Sequence, residues 1–199
     1  GGRFPPAWRE VLRDCIRQGI AIENGLHELV TDDPELVELA ATFGVTLTDL
    51  RRAPAGLDVP TGANLEVPGT IVLTVGSDCA IGKMTVSLEL DREARARGIA
   101  SQFVPTGQTG IAIAGWGLSV DAVVADFIAG AAERLVVEAV ERGGELLLVE
   151  GQGQRRHFAV GGAIQEQLAE ARAPVAAAQQ TFVVEQAEHE LLAQEPARR

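Results

Sequence analysis

Cysteine is scarce in this chain, positive charge is outnumbered, and long apolar runs are missing. The only cysteines in 199 residues are Cys15 and Cys79, far apart along the chain. A structural disulfide between them is not expected, and a reducing cytoplasm is the default setting. Seventeen Lys and Arg face 28 Asp and Glu, for a formal net charge of −11 and a pI near 4.7. That balance excludes an extended nucleic-acid surface, which needs a concentrated basic face. A local positive pocket for one small anion stays open. No apolar stretch reaches the roughly 18 residues of a membrane span, and the amino terminus lacks the basic-then-apolar pattern of a signal peptide. A small-molecule substrate is expected, without membrane or nucleic acid. Nor is there an initiator methionine; the chain opens on Gly1-Gly2 and reads as a fragment.

What is present is an ordinary globular composition, 46% hydrophobic, sufficient for a sizeable core. From Pro5 to Gln18 the apolar residues Trp8, Val11, Leu12, Cys15 and Ile16 recur at helical spacing, with Gly19 as a stop. Residues 20–24 read as a short strand. Thr31-Asp32-Asp33-Pro34 opens a second helix, with a side-chain cap and a proline in its first turn, that ends at Gly44. Residues 45–51 alternate like another strand. The expected organisation is an α/β chain whose residues 1–52 are the remainder of a small α/β unit. The Pro-rich, turn-rich residues 53–69 follow as a linker.

A second unit spans 70–153. Residues 70–75, TIVLTV, are a buried parallel strand by length and composition. A glycine loop and a helix from Lys83 to about Arg97 follow, then a strand at 100–105. Thr106-Gly107-Gln108-Thr109-Gly110 reads as a loop. Residues 121–142 carry the clearest helical stripe, through Val124, Ile128, Ala131, Leu135 and Ala139, broadened by Val123, Phe127 and Val136. ELLLVE, residues 145–150, is a buried strand ending in a carboxylate. Three strands separated by helices make a parallel sheet with right-handed crossovers. Residues 154–199 read as an atypical tail, helical near 163–173 and 183–194, with only TFVVE strand-like.

The loop GSDCAIGKMT carries the chemistry. A strand that turns through glycines into a helix gathers backbone N–H groups at the positive end of the helix dipole, a nest for phosphate. Gly76 permits the tight exit, Gly82 lets backbone approach the anion, and Lys83 adds formal charge. Ser77, Cys79, Ala80 and Ile81 complete the loop. Five residues separate Gly76 from Gly82, and Met84 stands where the usual pattern has the hydroxyl that touches magnesium. Phosphate binding is therefore better supported than nucleotide hydrolysis. Thr85 offers a hydroxyl, but one residue further along a helix points about 100° away. Asp78 has three readings: metal ligand, activator of a substrate group, or loop cap. Cys79 is either a small buried residue or a reactive thiol.

Glu150 ends a buried strand at the sheet edge where ligands sit in open α/β folds. It could hold magnesium through water, act as general base or cap a turn, while Gly151 and Gly153 free the backbone to reach a ligand. Gln108 and Thr109 offer neutral hydrogen bonds, and Trp116 either an aromatic face or a packed turn. His157 is a candidate proton shuttle or a surface residue. Asp121 is expected to cap the long helix, and Asp126 to lie within it, facing solvent or site.

Together GSDCAIGKMT, FVPTGQTGIAIAGWG, VDAVVADFIAGAAE and LLLVEGQG resemble the signature stretches of domain-of-unknown-function family 1611. GGRFPPAWREVL, GLHELVTDDPELVELA and RRAPAGLDVPTG resemble its first domain and linker. The resemblance covers roughly residues 1–153 and implies a Rossmann-like domain followed by a P-loop domain similar to that of dethiobiotin synthetase, here as an incomplete member. It implies an N-acetyltransferase that moves acetyl from acetyl-CoA to the amine of an acidic amino acid such as D-glutamate. The loop would grip coenzyme A phosphates, which need no magnesium hydroxyl. Glu150, Asp78 and His157 are the candidates for removing the proton of the attacking amine. No metal is expected under this reading, and association into a homo-oligomer is expected from apolar surface left uncovered. The alternatives are an ATP- and magnesium-dependent ligase or synthetase of the dethiobiotin synthetase type, and a non-catalytic nucleotide-binding module.

Overall fold

The computed structural model describes residues 2–76, 80–152 and, as backbone, 181–186. It is an α/β fold with two parallel sheets flanked by helices. The chain divides into two compact units that do not follow chain order: residues 1–62 with 105–135, and residues 63–104 with 136–199.

In the first unit, α1 (Pro6–Arg17) leads to β1 (Ile22–Asn24), α2 (Pro34–Phe43) and β2 (Leu47–Asp49), with β1 and β2 paired in parallel. Asp33 caps α2 by accepting the N–H groups of Glu35 and Leu36 at 3.1 and 3.3 Å, Pro34 fills its first position, and Gly44 ends it at φ 64°. Ile16, Val30, Leu36 and Ala40 form the core, joined by Leu12, Ile22 and Leu47. The expected stripe on α1 is only partly buried: Trp8 and Val11 are exposed. Arg13 grips Glu35 through Nε and Nη2 at 2.7 and 2.8 Å, and Arg9 pairs with Asp33. Burial of Ile16 and Leu12 sets the inward face of α1, the arginine pairs lie along its contact with α2, and Trp8 and Val11 are left outward.

The Asp49 carboxylate knots the strand ends. Its side chain is sealed from solvent. It accepts Asn24 Nδ2 at 2.6 Å, the N–H groups of Val30 and Thr31 at 2.9 and 3.0 Å, and Thr31 Oγ1 at 2.5 Å. Burial alone would raise its pKa; the Thr31 and Asn24 hydrogen bonds outweigh that and hold it below the usual range.

In the second unit, β3 (Thr70–Gly76) runs into the glycine loop, α3 (Lys83–Ala96) follows, and β4 (Ser101–Val104) is next. The chain passes through the first unit's α4 (Gln108–Ala114) and then α5 (Ile128–Glu141), of which 128–135 group with the first unit and 136–141 with the second, before β5 (Leu146–Val149) and β6 (Thr181–Gln186). Among the described residues the second sheet has four strands, all parallel, in the order β4-β5-β3-β6. Ile71, Leu73, Phe103, Val104 and Leu147 to Val149 fill its core.

Several expectations change. The segment 106–110 is not all loop: α4 starts at Gln108, after an extended Gly107, and stops at a left-handed Gly115. The long helix starts at Ile128 rather than 121. Val123 and Val124 stay extended, and short 3₁₀ turns flank them, leaving Val124 exposed. Asp121 therefore caps no long helix. It accepts Ser119 Oγ at 2.6 Å and pairs with Arg51. Asp126 sits in the second 3₁₀ turn, facing solvent. TFVVE, the strand-like stretch of the tail, lies in β6, so residues 183–186 are strand rather than the start of a helix, and pairing with β3 takes up their backbone groups on that side. The segment 163–173 and residues 187–194 lie outside the described residues.

The turn-rich stretch before β3 is pinned within the first unit. Glu133 of α5 accepts the N–H and hydroxyl of Thr61 at 2.8 and 2.9 Å and the N–H of Gly62 at 2.5 Å. A Cβ on Gly130 would meet Asp58 O at 1.8 Å, so helix and stretch touch backbone to backbone.

Candidate phosphate-binding site

Parallel pairing places the site. Leu73 of β3 lies beside Val149 of β5, so both strands deliver their carboxyl ends to one edge. The glycine loop leaves from one and Glu150-Gly151-Gln152 from the other. Between them lies a cavity of about 310 Å³. Ala80, Gly82, Lys83, Met84 and Thr85 form one wall, and Glu150, Gly151 and Gln152 the other. That is the low end of the size range for small-molecule sites.

Gly82 is the N-cap of α3 at φ 98° and ψ 15°, a left-handed conformation that a side chain would strain. Ala80 also has positive φ, 57°. The loop therefore winds tightly into the first turn of a 14-residue helix, whose leading N–H groups have no helical partners. Lys83 opens that helix and is 8% exposed; Glu150 is 7% exposed. Two ionisable side chains of opposite sign thus share one cavity, largely withdrawn from water.

Glycines make room for the lysine. A Cβ on Gly76 would meet Ile81 Cδ1 at 2.1 Å and Lys83 Cδ at 3.5 Å. A Cβ on Gly151 would meet Thr74 O at 1.7 Å and Lys83 Cδ at 3.4 Å. The Lys83 stem therefore lies in a slot between the two glycines. Gly151, read from sequence as freedom to reach a ligand, is a tight contact against β3 and the lysine. Lys83 is moreover the single lysine of the chain and Met84 its single methionine.

Of the residues singled out in the sequence, the structure gathers Ala80, Gly82, Lys83, Met84, Thr85 and Glu150 around this cavity, with Gly76 and Ile81 packed behind the lysine. Met84 and Thr85 both reach the wall, despite their angular separation on the helix. Gln108 and Thr109 open α4 in the other unit. Trp116, in that unit too, is buried at 7% exposure and packed. Ser77, Asp78, Cys79 and His157 lie outside the described residues. Among the described residues no group of three or more His, Cys, Asp or Glu could hold a metal ion, and no helix is long and apolar enough to cross a membrane. The sequence reading passed over Gln152 and the Gly151 contact. Both follow from the β3–β5 register rather than from any motif.

Residues 58–192 match a domain of unknown function described as the DUF1611_C P-loop domain. The chain belongs to the DUF1611 family. Residues 1–53 match the family's other domain, DUF1611_N, described as Rossmann-like. The P-loop match runs through β6 and takes in most of the residues read from sequence as an atypical tail. Two relatives are named D-glutamate N-acetyltransferase. The one from Tritonibacter scottomollicae is 40% identical over 162 residues, 81% of this chain and 47% of its own length. The one from a Pseudoalteromonas species is 38% identical over 162 residues, 81% of this chain and 48% of its own. The chain spans about half the length of these curated relatives. A crystal structure of a DUF1611 family protein from Anabaena variabilis superposes with a TM-score of 0.77 at 36% identity, covering 93% of this chain and 52% of that one.

Proposed function

We propose that the chain is the acyl-donor-binding part of an N-acetyltransferase acting on the amine of an acidic amino acid such as D-glutamate. The supporting observation is the cavity in which Lys83 and Glu150 are buried together at the N-terminus of α3. The names of the two relatives supply the reaction class. The cavity matches in size a phosphate-bearing portion of acetyl-CoA rather than the whole molecule. Gly82, the first turn of α3 and Lys83 would hold a coenzyme A phosphate, through backbone N–H groups and one ammonium. When bound, the cofactor supplies an acetyl group as a thioester. Forming the new C–N bond would break the thioester C–S bond, releasing the coenzyme A thiol, and would require the attacking amine to lose a proton. Among the described residues Glu150 is the carboxylate on the cavity wall and would receive it, with its near-complete burial helping to keep water from the transfer. Met84 presents a thioether where a magnesium-binding hydroxyl would stand, in keeping with a phosphate held without hydrolysis.

One observation favours a second reading. Thr85 lines the same cavity as Glu150, from the opposite wall, and a hydroxyl with a carboxylate is the donor set of a magnesium-nucleotide site, as in an ATP-dependent ligase. The single lysine makes the test direct. Amine-selective labelling followed by mass spectrometry reports on Lys83 and the amino terminus alone. Protection of Lys83 by acetyl-CoA, together with acetylation of D-glutamate, supports the transferase. Protection by Mg-ATP and not by acetyl-CoA would overturn it in favour of the ligase.

A further inference from the structure

Three parts of the cradle meet at one buried hydroxyl. Thr74 lies on β3, two residues before Gly76, and is 2% exposed. Its Oγ1 accepts the backbone N–H of Gly151 at 3.2 Å and donates to the Val149 carbonyl at 3.3 Å. It also lies 3.0 Å from Oγ of Ser87, which is fully buried on α3, one turn beyond Lys83. A hydroxyl has one proton and two acceptor lone pairs. With its proton on Val149 and the Gly151 N–H on one lone pair, the second lone pair accepts the Ser87 hydroxyl. Every capacity of the group is used. The strand entering the glycine loop, the helix leaving it and the segment carrying Glu150 are joined at a point that is not itself part of the cavity wall.

We infer that Thr74 is a positioning residue of the site. Its hydroxyl holds Glu150-Gly151-Gln152 against the glycine loop and, through Ser87, ties the placement of Glu150 to the helix whose N-terminus receives the anion. Parallel pairing of β5 with β3 ends at Val149 beside Leu73, so the ladder does not hold Glu150 and Gly151 on the β3 side. The Thr74 hydroxyl takes over where the ladder stops. A Cβ at Gly151 would lie 1.7 Å from Thr74 O, so the two backbones touch and a small opening of this contact displaces the cavity wall directly. The consequence for chemistry rests on the acetyltransferase reading; the clamp itself does not.

Thr74→Val preserves shape and removes all three bonds, while Thr74→Ser keeps them. Amide hydrogen exchange at Gly151, followed by NMR, reads the clamp without reference to activity. Exchange is expected to be at least about tenfold faster in Thr74→Val, near parental in Thr74→Ser, and unchanged at Leu147 and Leu148 in both. On the reading above, Thr74→Val binds coenzyme A within about threefold of the parent yet transfers acetyl to D-glutamate at least about tenfold more slowly, with rescue by Thr74→Ser. Parental exchange at Gly151 in Thr74→Val would overturn the inference, as would faster exchange spread evenly along β3 and β5, the mark of a mere packing residue. If Thr74→Val does not fold, Ser87→Ala removes one bond of the three. A rise of about threefold in Gly151 exchange is then expected, and no rise overturns the proposal. A parent chain without transferase activity would sink the proposed reaction and leave the Gly151 exchange to decide the role of Thr74.

Discussion

At Gly151 a methyl group has nowhere to go. It would sit 1.7 Å from a β3 carbonyl oxygen, an atom held in a sheet, whereas at Gly76 the nearest obstacle is the movable end of Ile81. Gly151→Ala is therefore expected to cost about 1–3 kcal/mol in denaturant unfolding, through forced backbone shifts, and to weaken coenzyme A binding at least about tenfold. Gly76→Ala should be milder on both measures, because a side-chain tip can swing aside. Equal effects from the two would contradict the slot geometry. Lys83→Ala should abolish measurable binding of inorganic phosphate by calorimetry while leaving the fold intact, since the chain loses the only lysine placed at the helix N-terminus. The loop residues Gly76, Gly82 and Lys83 were legible in the sequence because their spacing is a local property of one turn. Glu150 was legible because it ends an apolar strand. Gly151's contact with Lys83 was not, since it exists only when two strands distant in sequence lie side by side.

Elements keep their ends where local chemistry is strong and move them where neighbours compete. On α2 the Asp33 cap, Pro34 and the left-handed Gly44 agree, and the helix runs between the signals its sequence carries. Asp33→Ala is expected to lower stability by about 1 kcal/mol, and Gly44→Ala by about 1–2 kcal/mol, both read from urea midpoints at constant slope. On α5 the signals conflict. A helical stripe runs back to Val124, but Asp121, the expected cap, is drawn to Ser119 and Arg51 instead. The start of the helix was therefore not legible, though its buried residues Ala131, Leu135, Val136 and Ala139 were. On α1 the apolar period identified the helix but not which of its apolar residues are buried, because only Leu12 and Ile16 meet the core formed with α2, beside the ion pairs to Glu35 and Asp33. α4 was missed since seven residues containing a glycine are too few for a periodic signal.

Over the whole molecule, acid should act through particular carboxylates of the first unit. Asp49 and Asp121 both have folded-state pKa values below the ordinary range, the hydrogen bonds from Thr31 and Asn24 in one case and from Ser119 and Arg51 in the other outweighing burial. A depressed folded pKa means that the unfolded chain binds more protons in that window, so stability rises with pH there. The contribution is complete above the unfolded value of about 3.9 and is lost as pH falls through the folded values. Thermal melts by circular dichroism at a series of pH values from neutral down should show this loss, and Asp49→Asn should flatten it. An unchanged slope in that variant would remove Asp49 as its source. Falling pH also reduces the net charge of −11, which relieves repulsion and works in the opposite sense, so the difference between parent and variant is the informative quantity. The sequence alone determined the α/β character, the positions of the parallel strands and the glycine loop between strand and helix, because each depends on hydrophobic period, composition or the conformational freedom of glycine within a few residues. Tertiary structure alone decided which strands are neighbours, that residues 105–135 group with 1–62, and that Lys83, Gly151 and Glu150 share one cavity. Those relations are set by register and packing between segments far apart in the chain, and no local pattern encodes them.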